Sequence, residues 1–447
     1  MEGLHPSEGL IMTMGGSPRP LGVYERHLNG SGEPARRWEE IRALDFEGAS
    51  ERFWDRIARE VEANATALID LSHDVHAHPE LNFQEFHAAA AVASLLERLG
   101  HEVEVGTWEL ETAFLATAGS EGPHVAILAE YDALPEVGHG CGHNVICAAA
   151  VGAFLGIAPL VSELGGRVSL YGTPAEEGGG GKEYIARAGG FDDVDAAIMV
   201  HPGGGDFTEA IRLGLRQVNV TYRGISAHAA ATPFLGRNAL DAAVFAYQGI
   251  AQLRQHMLPA DRVHMVITEG GAKPNIIPER ASAALYIRSP TVEALEELTE
   301  RVGTILRSAA EATATAVDID WGVAPVFLPV RSNRTLASRY AAALRDRGRD
   351  VAEEYSGSGG STDLGNVSVR VPAIHPNVAI TRPEVPAHSH AFAAAAISPT
   401  GDAGVIDGAI GLARIAADFL ADPELRRQVR AEFEAAGGAL DLSTSIL

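Results

Sequence analysis

Cysteine is nearly absent from this chain of 447 residues, where only Cys141 and Cys147 occur. Two neighbouring thiols cannot staple a large fold, so no disulfide framework is expected and no oxidising compartment is implied. Basic residues are short as well. The 35 Lys and Arg face 59 Asp and Glu, a formal net charge of -24. Phosphate binding runs on clustered Lys and Arg that displace counterions, so neither duplex nucleic acid nor an anionic membrane surface is an expected partner. Long apolar runs are also missing. The longest uncharged one, residues 145–161, contains Pro159 and falls short of the roughly 20 residues a spanning helix needs, so a buried helix is expected there. Residues 1–20 lack the basic start and apolar segment of a secretory signal, which makes the cytoplasm the expected location.

The chain has 46% hydrophobic and 21% charged residues, a globular composition, and its length suits two or three domains. Residues 1–48 are rich in Gly, Pro and Ser and read as an extension outside the main fold, wrapping over it. Helical spacing begins near Phe53, with Trp54, Ile57, Val61, Ala65 and Leu68 on one stripe. A second helix over residues 85–99 stops at Gly100. Three short apolar runs, 125–129, 168–171 and 196–200, read as buried parallel strands. They end at Glu130-Tyr131-Asp132, at Pro174-Ala175-Glu176-Glu177 and at His201-Pro202. Ligands of open α/β sheets bind outside the carboxyl ends of the strands, so three such loops point to one site.

The pattern changes after Leu213. Val218, Val220 and Tyr222 alternate as in a half-buried strand, followed by a helix over 238–256, strands over 262–268 and 281–288, a helix over 292–312 and a strand over 317–321. That βαββαβ order is the split arrangement of a small ferredoxin-like domain. The expected fold class is α/β. An open, mostly parallel sheet forms the main domain (49–213 and 326–447), and the small domain (214–325) is inserted into it.

Several clusters could carry chemistry. His139-Gly140-Cys141-Gly142-His143-Asn144 sets a thiol two residues from an imidazole, with glycines that let both face one point. Thiolate and imidazole both bind zinc-like ions, while a Gly-rich turn around a core cysteine would look the same. In Glu176-Glu177 adjacent side chains diverge, so one carboxylate can bind a metal while the other stays free as a base. Such pairs also occur on solvated surfaces, though seldom after an apolar strand and a proline. His201 follows another apolar run, as a ligand or as a structural histidine. In the small domain, His228 stands among small residues where a substrate could approach, Asn275 sits in a Pro-flanked loop, and Arg288 ends a strand where a carboxylate partner, from protein or substrate, is expected; taken singly, each of the three fits a structural role better. Gly359-Gly360-Ser361-Thr362-Asp363 and Pro386-Ala387-His388-Ser389-His390 are further polar clusters, and His375 and His390 also fit ordinary surface or core histidines.

The ordered set His76-Ala77-His78-Pro79-Glu80-Leu81, Ala129-Glu130-Tyr131-Asp132-Ala133-Leu134-Pro135, Gly140-Cys141-Gly142-His143-Asn144, Pro174-Ala175-Glu176-Glu177-Gly178 and Val200-His201-Pro202-Gly203 resembles the aminoacylase and glutamate-carboxypeptidase family of di-metal hydrolases. Within it, the cysteine-containing subgroup of aminobenzoyl-glutamate hydrolases and dipeptidases is the most similar. The resemblance runs from about Ala58 to about Ala417. It implies a pair of divalent ions (Zn or Mn) on Cys141, His143, Glu177, His201 and His388, with His390 as the rival for the last position. Glu176 matches the general base and Asp132 the carboxylate supporting the metal site. His228 matches a lid histidine that stabilises the oxyanion, often from a partner subunit. Asn275 and Arg288 match substrate-holding residues, and Ser361 lies in a loop bordering the pocket. The small domain is then a lid and dimerisation domain, and a homodimer or higher homo-oligomer is implied.

Two positions depart from the wider family. Glu130 stands where many relatives carry a first histidine ligand, which Cys141 replaces, and Asn144 stands where much of the cysteine branch has aspartate. The implied activity is metal-dependent hydrolysis of the amide bond of an N-acyl amino acid, an aminobenzoyl-glutamate-like compound or a dipeptide. The alternatives are a non-peptidic or xenobiotic amide on the same site, or a catalytically idle metal-binding scaffold.

Overall fold

Every residue from His124 to Ala129 is buried, as an unbroken apolar run in a doubly covered strand requires. In the computed structural model, which describes residues 38–441 apart from 43, 45 and 359, this strand is central to a six-stranded sheet. It pairs in parallel with Arg167–Gly172 on one side and with Ala196–Ile198 on the other, and Ala373–Ile374 extends the parallel set. Phe114–Gly119 and Glu104–Val105 add an antiparallel edge. Sequence reasoning passed over that edge because Glu104–Val105 is short and exposed on both residues.

The apolar run over 145–161 is a core helix, as expected, but a longer one. Helix His143–Ile157 is buried at every residue and continues through Ala158–Leu160 into Val161–Leu164. The run His143–Leu164 has the length and composition to cross a membrane, yet 83% of its most apolar stretch is buried inside this fold. Pro159 does not end it, because it sits in the first turn of the 3-10 segment, where a missing N–H costs little. The single helix expected from Phe53 is instead two, Glu51–Ala63 and Ala65–Ala77, broken at Asn64 (φ -96°, ψ 2°).

Most of the extension expected over 1–48 lies outside the described residues. Its end packs on the main domain: helix Trp38–Arg42 buries Trp38, whose Nε1–H donates to Glu354 Oε1 at 3.0 Å.

The inserted unit follows the expected order closely. Strand Gly214–Arg223, helix Ala239–Leu253, strands Arg262–Glu269 and Arg280–Ser289, helix Val292–Thr313 and strand Ala316–Asp320 form a four-stranded antiparallel sheet carrying two helices. Asn238 and Thr291 cap the two helices through their side-chain oxygens. Val218, Val220 and Tyr222 face a separate core with Ile250, Leu285, Ile287 and Leu298.

One sheet was not foreseen. Ala352–Ser358, Phe207–Ile211, Asn377–Ala379 and His201–Gly203 make a second small sheet beside the main one. The strand expected over 196–200 ends at Ile198, and His201 opens a new strand paired in parallel with Asn377–Ala379. The apolar run hides this break because Met199 and Val200 are buried whichever sheet they serve.

Candidate active site

The three loops foreseen at the carboxyl edge do converge, and backbone geometry explains how. Gly142 takes φ +78°, a left-handed conformation that turns the chain into the helix beginning at His143. At Gly140 a Cβ would lie 3.3 Å from Ser389 N and 3.4 Å from His388 Cα. Glycine there lets the distant 386–390 segment come close enough for His388 N–H to donate to the Gly140 carbonyl at 2.8 Å. His388 is thereby brought to Cys141 and Glu177, whereas His390 begins a helix, Ser389-capped, and is in none of the donor clusters found among the described residues.

The donor atoms of Cys141, His143 and His201 lie within 4.8 Å of one another, and so do those of Cys141, Glu177 and His388. Cys141 is common to both groups. Asp132 holds two of these residues at once: His143 Nδ1–H donates to its Oδ1 at 2.9 Å, and Glu177 N–H donates to its Oδ2 at 2.8 Å. That contact leaves His143 Nε2 free to bind a cation. His201 is fixed the same way, with Nδ1–H donating to the Pro202 carbonyl at 2.7 Å and Nε2 3.4 Å from Cys141 Sγ.

The unsatisfied atoms here point to cations. His143 Nε2, Glu177 Oε1 and Glu130 Oε2 are buried without a hydrogen-bond partner. Carboxylate oxygens of Glu130, Glu176 and Glu177 stand 3.7, 3.8 and 3.8 Å from His143 Nε2. Burial, then the charges of Glu130 and Glu177, pushes Glu176 well above the usual carboxylate range. Burial and the Glu177 charge likewise push the Cys141 thiol up. Burial opposes charge on His143, but the charges and hydrogen bonds of Asp132 and Cys141 together outweigh it and raise its pKa. Anionic donors packed this closely need divalent cations among them, and the mixture of thiolate, imidazole and carboxylate fits a zinc- or manganese-like ion.

A buried lysine is one feature the sequence reading missed. Lys182 Nζ contacts Glu130 Oε1 at 2.5 Å and Asp363 Oδ1 at 2.6 Å, with all three side chains fully enclosed. Glu130 also forms a donor group with His143 and Glu176. The position read only as a lost histidine ligand thus holds a carboxylate anchored by an ammonium. Removing one partner of a buried pair leaves an uncompensated charge, so Lys182→Met is expected to destabilise the fold by about 3–5 kcal/mol, measured by urea unfolding. A loss under about 1 kcal/mol would show that Glu130 and Asp363 do not depend on Lys182.

A cleft of about 590 Å³ opens over these residues, lined by Cys141, Glu176, Glu177, His201 and His388, and also by Arg288 and Ser361. Arg288 Nη1–H donates to Ser361 Oγ at 2.7 Å. Arg212 and His375 also line it, neither foreseen as site residues. His228 and Asn275 do not. Both are exposed, in loops joined by Ala229 N–H donating to the Asn275 carbonyl at 3.0 Å. His143 and Asp132 are buried beside the cleft without lining it, so of the expected residues only His228 and Asn275 are both exposed and outside the cleft of their own chain.

Residues 211–314 match the family model of a peptidase dimerisation domain. The chain is 37% identical over 399 residues to the Xaa-Arg dipeptidase of Mus musculus, covering 85% of this chain and 91% of that protein. It is 36% identical over 307 residues to a p-aminobenzoyl-glutamate hydrolase chain of Escherichia coli (strain K12), covering 64% of this chain and 63% of that one. A dinuclear metal binding peptidase of the M20 family from Bacillus subtilis shares the fold, with a TM-score of 0.60 at 23% identity over 79% of this chain and 99% of its own. Sequence identity of this extent, joined to the converging donor loops, makes the chain a member of the M20 peptidases, the aminoacylase and glutamate-carboxypeptidase family, and a metal-dependent hydrolase of amide C–N bonds.

Proposed function

We propose that the enzyme cleaves an N-acyl amino acid or dipeptide with a free carboxylate, using two ions of the zinc or manganese type held by Cys141, His143, Glu177, His201 and His388. The observation that carries this reading is the pair of three-residue donor groups sharing Cys141, in which His143 Nε2 and Glu177 Oε1 are buried with no hydrogen-bond partner among the described residues. When bound, such ions polarise a substrate carbonyl and lower the pKa of water to about 7. Glu176 takes the proton of the attacking water and returns it to the leaving amine. Burial and the neighbouring carboxylates raise its pKa, and cations held beside it would favour its ionised form. Asp132 keeps His143 in the tautomer that leaves Nε2 free. Arg288, braced by Ser361, takes the substrate carboxylate.

His228 donates to the oxygen on which negative charge develops. Its exposed position suits delivery into the cleft of a second subunit, together with Asn275. The small domain offers a surface for such pairing. Arg262–Glu269 is an edge strand with Val266 58% exposed, and Phe245 is 51% exposed on the adjoining helix. A homodimer is therefore the functional unit. Cys141 must stay reduced to serve as a ligand, which suits the cytoplasm.

Amine release measured by mass spectrometry from a panel of N-acyl amino acids, aminobenzoyl-glutamate and dipeptides tests the reading. Protein loaded with Zn²⁺ or Mn²⁺ is expected to release amine from carboxylate-bearing members, to stop on chelation and to recover on re-addition. Equal activity before and after complete metal removal would overturn it.

A further inference from the structure

The motif over residues 76–81 has no place in the chemistry above, and the residues that directly follow it do not line the cleft. They touch the main chain of the reaction centre instead. Asn82 Nδ2–H donates to the Glu177 carbonyl at 3.0 Å, and Glu85 Oε1 accepts from Ala175 N–H at 2.9 Å. Residues 82–85 thus hold the backbone on both sides of Glu176. Ala133 N–H donates to the Glu80 carbonyl at 2.8 Å, so the same stretch is tied to the loop carrying Asp132.

Ala175 needs that support. Its φ is +60°, a left-handed conformation that is strained for any residue with a Cβ. Phe83 has the same φ, and its N–H donates to the same Glu85 Oε1 at 2.9 Å. Glu85 Oε2 accepts from Thr112 Oγ1–H at 2.8 Å, so both oxygens of this fully buried carboxylate are engaged in fixing the local chain. The turn is tightly closed from the other side, with Gly180 N–H donating to the Ala175 carbonyl at 2.7 Å. A Cβ on Gly179 would stand only 2.5 Å from that of Ala175. Without Glu85, the buried Ala175 N–H would lose its acceptor and the left-handed residue would lose what holds it. Glu176 leaves the chain one residue later, so a change in the Ala175 backbone angles re-aims its carboxylate and that of Glu177.

We propose that Glu85 is a positioning residue that locks Ala175 in its left-handed conformation and thereby aims the carboxylates of Glu176 and Glu177, with Asn82 as a second clasp on the same turn. This rests on the proposed function, in which those two carboxylates serve as base and metal ligand.

The test compares full-length wild type with Glu85→Ala, Glu85→Gln and the double variant Glu85→Ala/Ala175→Gly. One arm measures kcat and KM with Zn²⁺ in excess, on the best substrate of the panel, and the other measures Zn²⁺ affinity by chelator competition. Glu85→Ala is expected to lower kcat about 10-fold or more through misplacement of the base, and to weaken one of the two zinc ions by a similar factor. KM should change less than about 3-fold, because Arg288 and Ser361 lie outside the turn. Glycine takes the left-handed conformation without strain, so adding Ala175→Gly should raise both kcat and zinc affinity about 3-fold or more above Glu85→Ala. That change removes a further buried methyl and could not repair a mere packing defect. Glu85→Gln keeps an oxygen for the two N–H groups and should stay within about 5-fold of wild type. A lower melting temperature with kcat and zinc affinity unchanged in Glu85→Ala overturns the proposal, and so does a double variant no better than Glu85→Ala. Should Glu85→Ala not fold, Asn82→Ala takes its place, with a fall of about 3-fold or more expected in both readouts and no fall in either overturning the proposal. If the wild type hydrolyses nothing, the proposed function fails, and the zinc arm still decides the role of Glu85.

Discussion

Replacing Glu176 with Gln is expected to lower kcat by about 10²–10⁴-fold while leaving metal content unchanged. The amide keeps the shape of the carboxylate but can neither accept the proton of water nor pass one to the leaving amine. Glu176 is nearly buried, and its carboxylate lies 3.8 Å from His143 Nε2, so the substitution removes a proton carrier without opening the site. Glu177 cannot substitute, because its N–H is held by Asp132 and its side chain turns towards Cys141 and His388. Steady-state kinetics paired with elemental analysis separates the two effects. Wild-type kcat with full metal would remove Glu176 from proton transfer, and loss of an ion would make it a ligand instead.

A second large effect is expected at His228, whose replacement by Ala should cost about 10²–10³-fold in kcat, the usual magnitude for one oxyanion donor. The exposed imidazole makes only short-range contacts, Nδ1 accepting from Ala230 and Ala231 N–H at 3.2 Å each. Such a side chain contributes little to the fold, so the melting temperature should hold. Because His228 stays outside the cleft of its own chain, two defective proteins should repair each other. Mixed dimers of Glu176→Gln and His228→Ala chains contain one site with both lesions and one with neither. Mixing under conditions of subunit exchange should therefore restore about a quarter of wild-type activity, from half of the chains pairing as heterodimers with one intact site each. No recovery, with exchange verified by native mass spectrometry, would mean that His228 acts on its own chain or not at all.

How far the sequence carried depended on whether the signal was local. The strands of the main sheet were legible because a run such as residues 125–129 is buried on both faces, and the small domain because Val218, Val220 and Tyr222 alternate. The second small sheet was not, since its strands are short and Asn377–Ala379 lies far along the chain from His201–Gly203. At the site, ordered motifs gave the donor set that the loops bring together. Lys182 looked like an ordinary residue after a glycine run, and nothing local indicates that Glu130 and Asp363 close around it. Arg212 and His375 were missed for the same reason, because facing one cleft is a property of tertiary packing. The choice between His388 and His390 turned on a backbone contact with Gly140 that spacing could only suggest.

The central claim is that one thiolate and four other side chains hold a pair of ions. Anomalous diffraction from crystals grown with Zn²⁺, recorded on either side of the zinc edge, tests it most directly. The account predicts two peaks per chain, both beside Cys141, one nearer His143 and His201 and the other nearer Glu177 and His388. A single peak, or peaks that avoid Cys141, would contradict it.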